Sequence, residues 1–245
     1  AANTFVAAVD FLNTGLVTLG DAGTDSSTFA GGVAFGGNAA SALQGAFVTT
    51  NTNANFGTGG VTLGADTTIT TGAGAGDIAF GAGITDGAGT FNLGLTAGAG
   101  AVTVATTTAI NNLTLTQAAS NTFTGNVTVN DLITTANSGT ITLNGAANTF
   151  VAAVDFLNTG LVTLGNGGDS STFANGVTFS ANAASNLGGA IVTSGDVANF
   201  GTGGVTLGSD STVDTTNAGG SAAGANIIFG AGIAGAFDLG LTAGT

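Results

Sequence analysis

Apolar and polar residues alternate along the chain in short bursts. Val17-Thr18-Leu19, Val61-Thr62-Leu63, Val102-Thr103-Val104, Leu113-Thr114-Leu115, Val127-Thr128-Val129 and Ile141-Thr142-Leu143 each set Thr between two aliphatic side chains. Residues 162–164, 177–179 and 205–207 repeat the motif. A period of two with β-branched residues, bounded by Gly, Asn, Asp and Ser, predicts short strands that turn two side chains inward and one outward. Counting variants such as Val33-Ala34-Phe35 and Ile78-Ala79-Phe80, the bursts lie roughly 8 to 17 residues apart. No 3.6-residue periodicity is sustained, and Gly and Thr are poor helix formers, so helices are not expected.

A longer period encloses this one. The segment AANTFVAAVDFLNTGLVTLG at residues 1–20 recurs unchanged at 146–165, an offset of 145 residues. With small slips, SSTF at 26–29 returns at 170–173, FGTGGVTLG at 56–64 at 200–208, FGAGI at 80–84 at 229–233 and LTAG at 95–98 at 241–244. Residues 1–145 therefore read as a first long unit, and 146–245 as a second, truncated copy continuous with it, whose Thr245 aligns with Ala99. The chain reads as a window on a longer repetitive polypeptide, a mature or excised segment that starts at Ala1 with no visible signal peptide.

Short strands joined by Gly-rich corners predict an all-β, right-handed parallel β-solenoid, a rod built from tandem repeats. Coils of about 20 to 25 residues would give on the order of ten coils, and at about 4.8 Å per coil a rod of roughly 50 Å. Gly suits corners that need positive φ, while Asn tolerates the same region and can ladder its amide onto an Asn one coil away. A transmembrane β-barrel also alternates, but its interfaces are normally marked by Trp and Tyr, and this chain has neither. A globular β-sandwich does not account for near-identical segments 145 residues apart.

Composition then narrows the chemistry. Only eleven residue types occur, with no Lys, Arg, His, Glu, Pro, Cys, Met, Trp or Tyr. Hydrophobic residues at 43%, charged residues at 5% and a mean hydropathy of +0.50 favour a folded chain despite 45 glycines. All 13 acidic groups are Asp and the net charge is -13, so no salt bridge is expected within the chain. Without cations the surface cannot neutralise phosphates, which removes nucleic acid as a partner and disfavours anionic lipid. Every apolar run is broken well short of the roughly 18 residues that a membrane-spanning helix requires. Zero Cys removes disulfides and thiolate metal sites, leaving packing and backbone hydrogen bonds as the sources of stability. Lack of Lys and Arg also leaves trypsin-like proteases nothing to cut, which suits an extracellular location.

NTFTGNVTVND at 121–131 and GTITLNGAANTF at 139–150 resemble the repeats of bacterial autotransporter passenger regions and filamentous-haemagglutinin-like exoproteins. Asn121, Thr122, Phe123, Thr124, Gly125 and Val129 fit that pattern, whereas Asp131-Leu132-Ile133 replaces its usual Gly-x-Leu. The resemblance covers about a fifth of the chain. It implies a right-handed β-helix exported to a cell surface or released as fibres, and it carries over no catalytic residue.

Catalytic machinery built on His, Cys, Lys, Tyr or Glu is excluded by composition, leaving only paired Asp of the kind that hydrolyse glycosides. We therefore expect no enzyme: no catalytic, cofactor-binding or metal-binding residue is assigned. Calcium is the one conceivable ion, because Asp and Asn oxygens at turns suit a hard cation. GAGAGDIAF at 72–80 loosely matches a calcium-binding nonapeptide, but Ala73 and Ala75 replace two of its glycines and Asn226 stands where Asp77 would recur. Asp10, Asp25 and Asp66 do recur as Asp155, Asp169 and Asp210. Gly230-Ala231-Gly232-Ile233-Ala234-Gly235 matches a dinucleotide fingerprint that its counterpart GAGITDG at 81–87 breaks, so it reads as chance. Thr68/Thr70, Thr114/Thr116 and Thr140/Thr142 suggest outward ranks, but Asp214 replaces Thr70 in the second copy and the spacing is irregular. The expected function is a structural fibre or cell-surface filament that extends end to end with itself or with further repeats. The alternative is an adhesin stalk or a carbohydrate-binding surface protein recognising a glycan.

Overall fold

A computed structural model describes residues 1–37, 40–181, 184–221 and 223–244; Thr245 lies outside them. The described residues form strands, turns and bends with no helix. The molecule is a parallel β-solenoid of about 10 turns. Every paired strand runs parallel to its neighbour, and one isolated bridge, Ser194 with Thr216, is antiparallel. Parallel stacking removes the barrel and the sandwich as alternatives, since both are built from antiparallel neighbours.

Each turn contributes a strand to three walls, the first starting at Ala2–Phe5, the second at Val9–Asp10 and the third at Val17–Leu19. The second wall runs without a break through Val9, Val33, Ala54, Ile78, Val102, Asn121, Ile141, Val162, Ser185, Val205 and Ile233, each the register partner of the next. Ten steps of about 4.8 Å give a column about 48 Å long. Turn length varies along it from 19 residues (Val102 to Asn121) to 28 (Val205 to Ile233). That variation is absorbed at the corners and explains the irregular spacing of the bursts. One corner shows how: the Thr71 hydroxyl donates to the Gly76 carbonyl at 2.5 Å, while its counterpart Thr215 donates to the Ala225 carbonyl at 2.7 Å, so the same clasp closes over a longer loop.

The expected in-out-in pattern holds in all nine bursts. Their first residues are buried, the central Thr residues face outward, and the third residues are buried apart from the half-buried Leu19 in the first turn. Phe side chains add two ladders inside the column. Phe11, Phe35, Phe56 and Phe80 stack at 4.9, 5.2 and 4.7 Å between centroids, and Phe156, Phe179, Phe200 and Phe229 stack at 4.8, 5.2 and 4.8 Å. Such aromatic pairs add about 0.5–1.5 kcal/mol each beyond the area they bury.

The two copies fuse without a seam. Ile141 pairs with Val162, Phe150 rests on Val129, and the Thr134 hydroxyl both donates to the Asp155 carbonyl (3.1 Å) and accepts the Leu157 N–H (2.8 Å). Asn158, fully buried here, donates its amide to the Gly139 carbonyl at 2.9 Å and the Gly160 carbonyl at 2.8 Å. The expectation that no salt bridge exists is corrected at one point. The Ala1 ammonium pairs with Asp25, because a backbone terminus supplies the cation that the side chains lack.

Candidate functional sites

The carboxylates are the only charged side chains. Five of the thirteen, Asp66 among them, clip one turn to the next. Asp10 accepts the Gly36 N–H (3.0 Å), Asp77 the Ala101 N–H (2.8 Å), Asp155 the Ser180 N–H and hydroxyl (3.2 and 2.8 Å), and Asp210 the Asp238 N–H (3.0 Å). Asp10 and Asp155 end short strands and Asp77 and Asp210 immediately precede one, so each carboxylate stands where a strand meets a corner and can accept an N–H from the next turn. Asp77 of the nonapeptide-like segment is thus committed to a backbone donor. Its counterpart Asn226 uses its main-chain carbonyl to accept Ala198 N–H at 3.1 Å.

Asp66 starts a polar ladder that climbs the rod. It accepts the backbone and side-chain N–H of Asn92 at 2.9 and 3.2 Å; Asn111 donates to the Asn92 amide oxygen at 3.0 Å, and Asn130 to that of Asn111 at 3.2 Å. Asn therefore ladders as its side-chain chemistry predicts. In the second copy Asp238 replaces the first Asn rung, and Asp169, Asp210 and Asp238 line one groove. Among the described residues no three acidic side chains converge closely enough to hold a metal ion.

Besides Asp25, which hydrogen bonds from the Ala1 ammonium and the Asp21 N–H hold well below the usual carboxylate range, three carboxylates have shifted acidities. Burial pushes the Asp86 carboxyl up, but the N–H groups of Phe91, Gly89, Ala88 and Thr90 outweigh it and hold the group below the usual carboxylate range. Hydrogen bonds from the Thr216 hydroxyl and N–H lower that of Asp214. Burial raises Asp131. Asp86 and Asp214 accept these bonds at turns, and Asp131 lies within a strand.

The remaining sequence candidates fall on ordinary structure. Within the fingerprint-like run, Ile233–Ala234 is a strand paired with Val205 and Thr206, and no helix follows among the described residues. Thr68/Thr70 and Thr114/Thr116 share the first wall, separated by Gly94–Thr96, whereas Thr140/Thr142 lies on the second. A column missed in the sequence is Thr103, Thr122, Thr142 and Thr163, outward on four successive turns. Its members stand 19 to 21 residues apart, so only the register reveals it.

Two surface grooves occur twice. One, of about 600 Å³, is lined by Asp10, Gly32, Asn51, Thr52, Asn53 and Asn55, and a smaller one of about 300 Å³ surrounds Asp155, Gly176 and Asp196 at the equivalent place. The other pair, of about 350 and 310 Å³, is lined by Asp66, Thr68 and Gly94 and by Asp210, Thr212 and Gly240.

The fold places this chain in the class of parallel β-solenoids. No family model, no curated protein and no solved structure matches it. No helix among the described residues is long and apolar enough to cross a membrane.

Proposed function

We propose that the chain is a structural rod, a segment of an extracellular fibre or cell-surface filament that lengthens by adding turns. The observation that carries this reading is the seamless junction, at which one copy seats on the next through the same kind of paired walls and dry core found within each copy. A second support is that five of the thirteen carboxylates serve as clips between turns, which is a structural use of the only ionisable side chains. The resemblance of residues 121–131 and 139–150 to autotransporter and haemagglutinin-like repeats accords with display at a cell surface.

Unpaired carboxylates keep such rods apart. Acid that protonates carboxylates, or salt that shortens the screening length to about 3 Å at 1 M, removes the repulsion. Light scattering should rise under both conditions, with elongated bundles visible in negative-stain micrographs. Flat scattering together with dispersed compact particles would refute the rod. The polar groove around Asp10, Asn51, Asn53 and Asn55 favours a second reading, an adhesin stalk whose amide and carboxylate groups hold glycan hydroxyls. Retention on a glycan array, lost in D10A/N53A, would favour it over the fibre.

A further inference from the structure

The long repeat and the solenoid turn do not share a period. Starting on the first wall at Asn3, the register passes through Ser27, Phe47, Ile69, Leu95 and Leu115 to Thr134, six full turns. Two walls later the chain reaches Ala147–Phe150, the exact sequence counterpart of Ala2–Phe5, now on the third wall beside Thr128 and Val129. One copy is therefore six and two-thirds turns. The offset persists: Val9–Asp10 lies on the second wall and Val154–Asp155 on the first, while Val17–Leu19 lies on the third and Val162–Leu164 on the second.

The surface turns with the backbone. In the first copy Ala46, Thr68, Gly94 and Thr114 form an outward column on the first wall, with a notch at Gly94, where a Cβ would stand 3.3 Å from the Thr68 methyl. In the second copy Ala190, Thr212 and Gly240 remake it on the third wall, and a Cβ on Gly240 would again stand 3.3 Å from the Thr212 methyl. The aromatic load turns too. The ladder of Phe35, Phe56 and Phe80 adjoins the second wall, and that of Phe156, Phe179 and Phe200 follows the first-wall position of Val154.

We infer that the repeat acts as a one-third screw, so that successive copies present the same notched face to different sides and, once acid or salt removes the repulsion, neighbouring rods of the same kind meet alike faces all around. This rests on the rod reading above. Each copy advances about 32 Å, and a fourth copy would face as the first does after 20 turns, about 96 Å. Copies in phase would instead place every notch and every Phe ladder along one side, favouring flat one-sided ribbons.

Because the chain has no Cys, paired cysteines report the register directly. Neighbouring parallel strands hold Cα atoms about 4.8 Å apart, within disulfide range. Under mild oxidation T142C/T163C should lose two hydrogens by intact mass, since these outward residues are register partners across the junction. T128C/T163C should keep both thiols; it would close only if the copies were in phase, and that result would overturn the inference. At pH 4 the bundles should be thick in cross-section. Ribbons one rod thick, formed by a protein whose T142C/T163C pair closes, would overturn the display role while leaving the rod intact. Compact particles would instead refute the rod reading itself.

Discussion

Phe5 and Phe150 occupy identical positions in identical twenty-residue segments, yet one is 41% exposed and the other fully buried. Both stack on the next Phe in the same way, Phe5 on Phe29 at 4.9 Å and 7°, Phe150 on Phe173 at 4.8 Å and 11°. Only Phe150 has a turn beneath it, where it pairs with Val129. Truncating Phe150 to Ala loses the transfer energy of the ring and leaves a cavity that two flanking turns hold open, a cost of about 3–5 kcal/mol. Truncating Phe5 exposes no enclosed void and forfeits only the buried part of its transfer energy, about 1–2 kcal/mol. The expected difference is about 2 kcal/mol, which is about 30-fold in an opening equilibrium. A rod need not melt in two states, so the assay is hydrogen exchange read peptide by peptide rather than a single transition. Exchange around residues 149–173 should quicken in F150A about 30-fold more than exchange around residues 4–29 quickens in F5A. Equal acceleration in both variants would refute the argument that the preceding turn supplies the missing stability.

Other substitutions probe the corners and the acids. Gly201 has φ +63°, and a Cβ there would stand 1.9 Å from the Phe179 carbonyl oxygen. G201A should therefore cost about 1–2 kcal/mol for the left-handed backbone plus about 1–3 for overpacking, seen as a lower urea midpoint by far-UV circular dichroism. G232A, with nothing within 4 Å, should stay within about 0.5 kcal/mol of the parent. D86N replaces an anion that accepts four backbone N–H groups and should destabilise by about 1–3 kcal/mol at pH 7. Since the folded pKa of Asp86 is lowered, its contribution is present above the unfolded value near 3.9 and is lost as pH falls through the folded one. The gap between parent and D86N in thermal melts should accordingly narrow below pH 4. Asp131 has the opposite sign, because burial raises its folded pKa and protonation relieves it; D131N should raise the melting temperature at pH 7, and a lower one would contradict the burial argument.

What the sequence alone determined was the local geometry and the class of architecture. Apolar-Thr-apolar bursts such as Val61-Thr62-Leu63 specify a strand with two inward side chains wherever they fall, because side-chain alternation is a property of the extended backbone itself. The exact recurrence of residues 1–20 at 146–165 announces a repeated body, and the alphabet confines charge to Asp. The tertiary structure alone decided which burst lies on which. Turns of 19 to 28 residues cannot be phased from spacing, so the Thr103–Thr163 column, the inter-turn carboxylate clips and the one-third offset between copies were invisible in one dimension. Burial followed the same rule. Identical segments acquire different walls and different exposure because stacking energy depends on the turn below, and that turn lies about twenty residues away in the chain while the side chains it covers lie one strand spacing away in space.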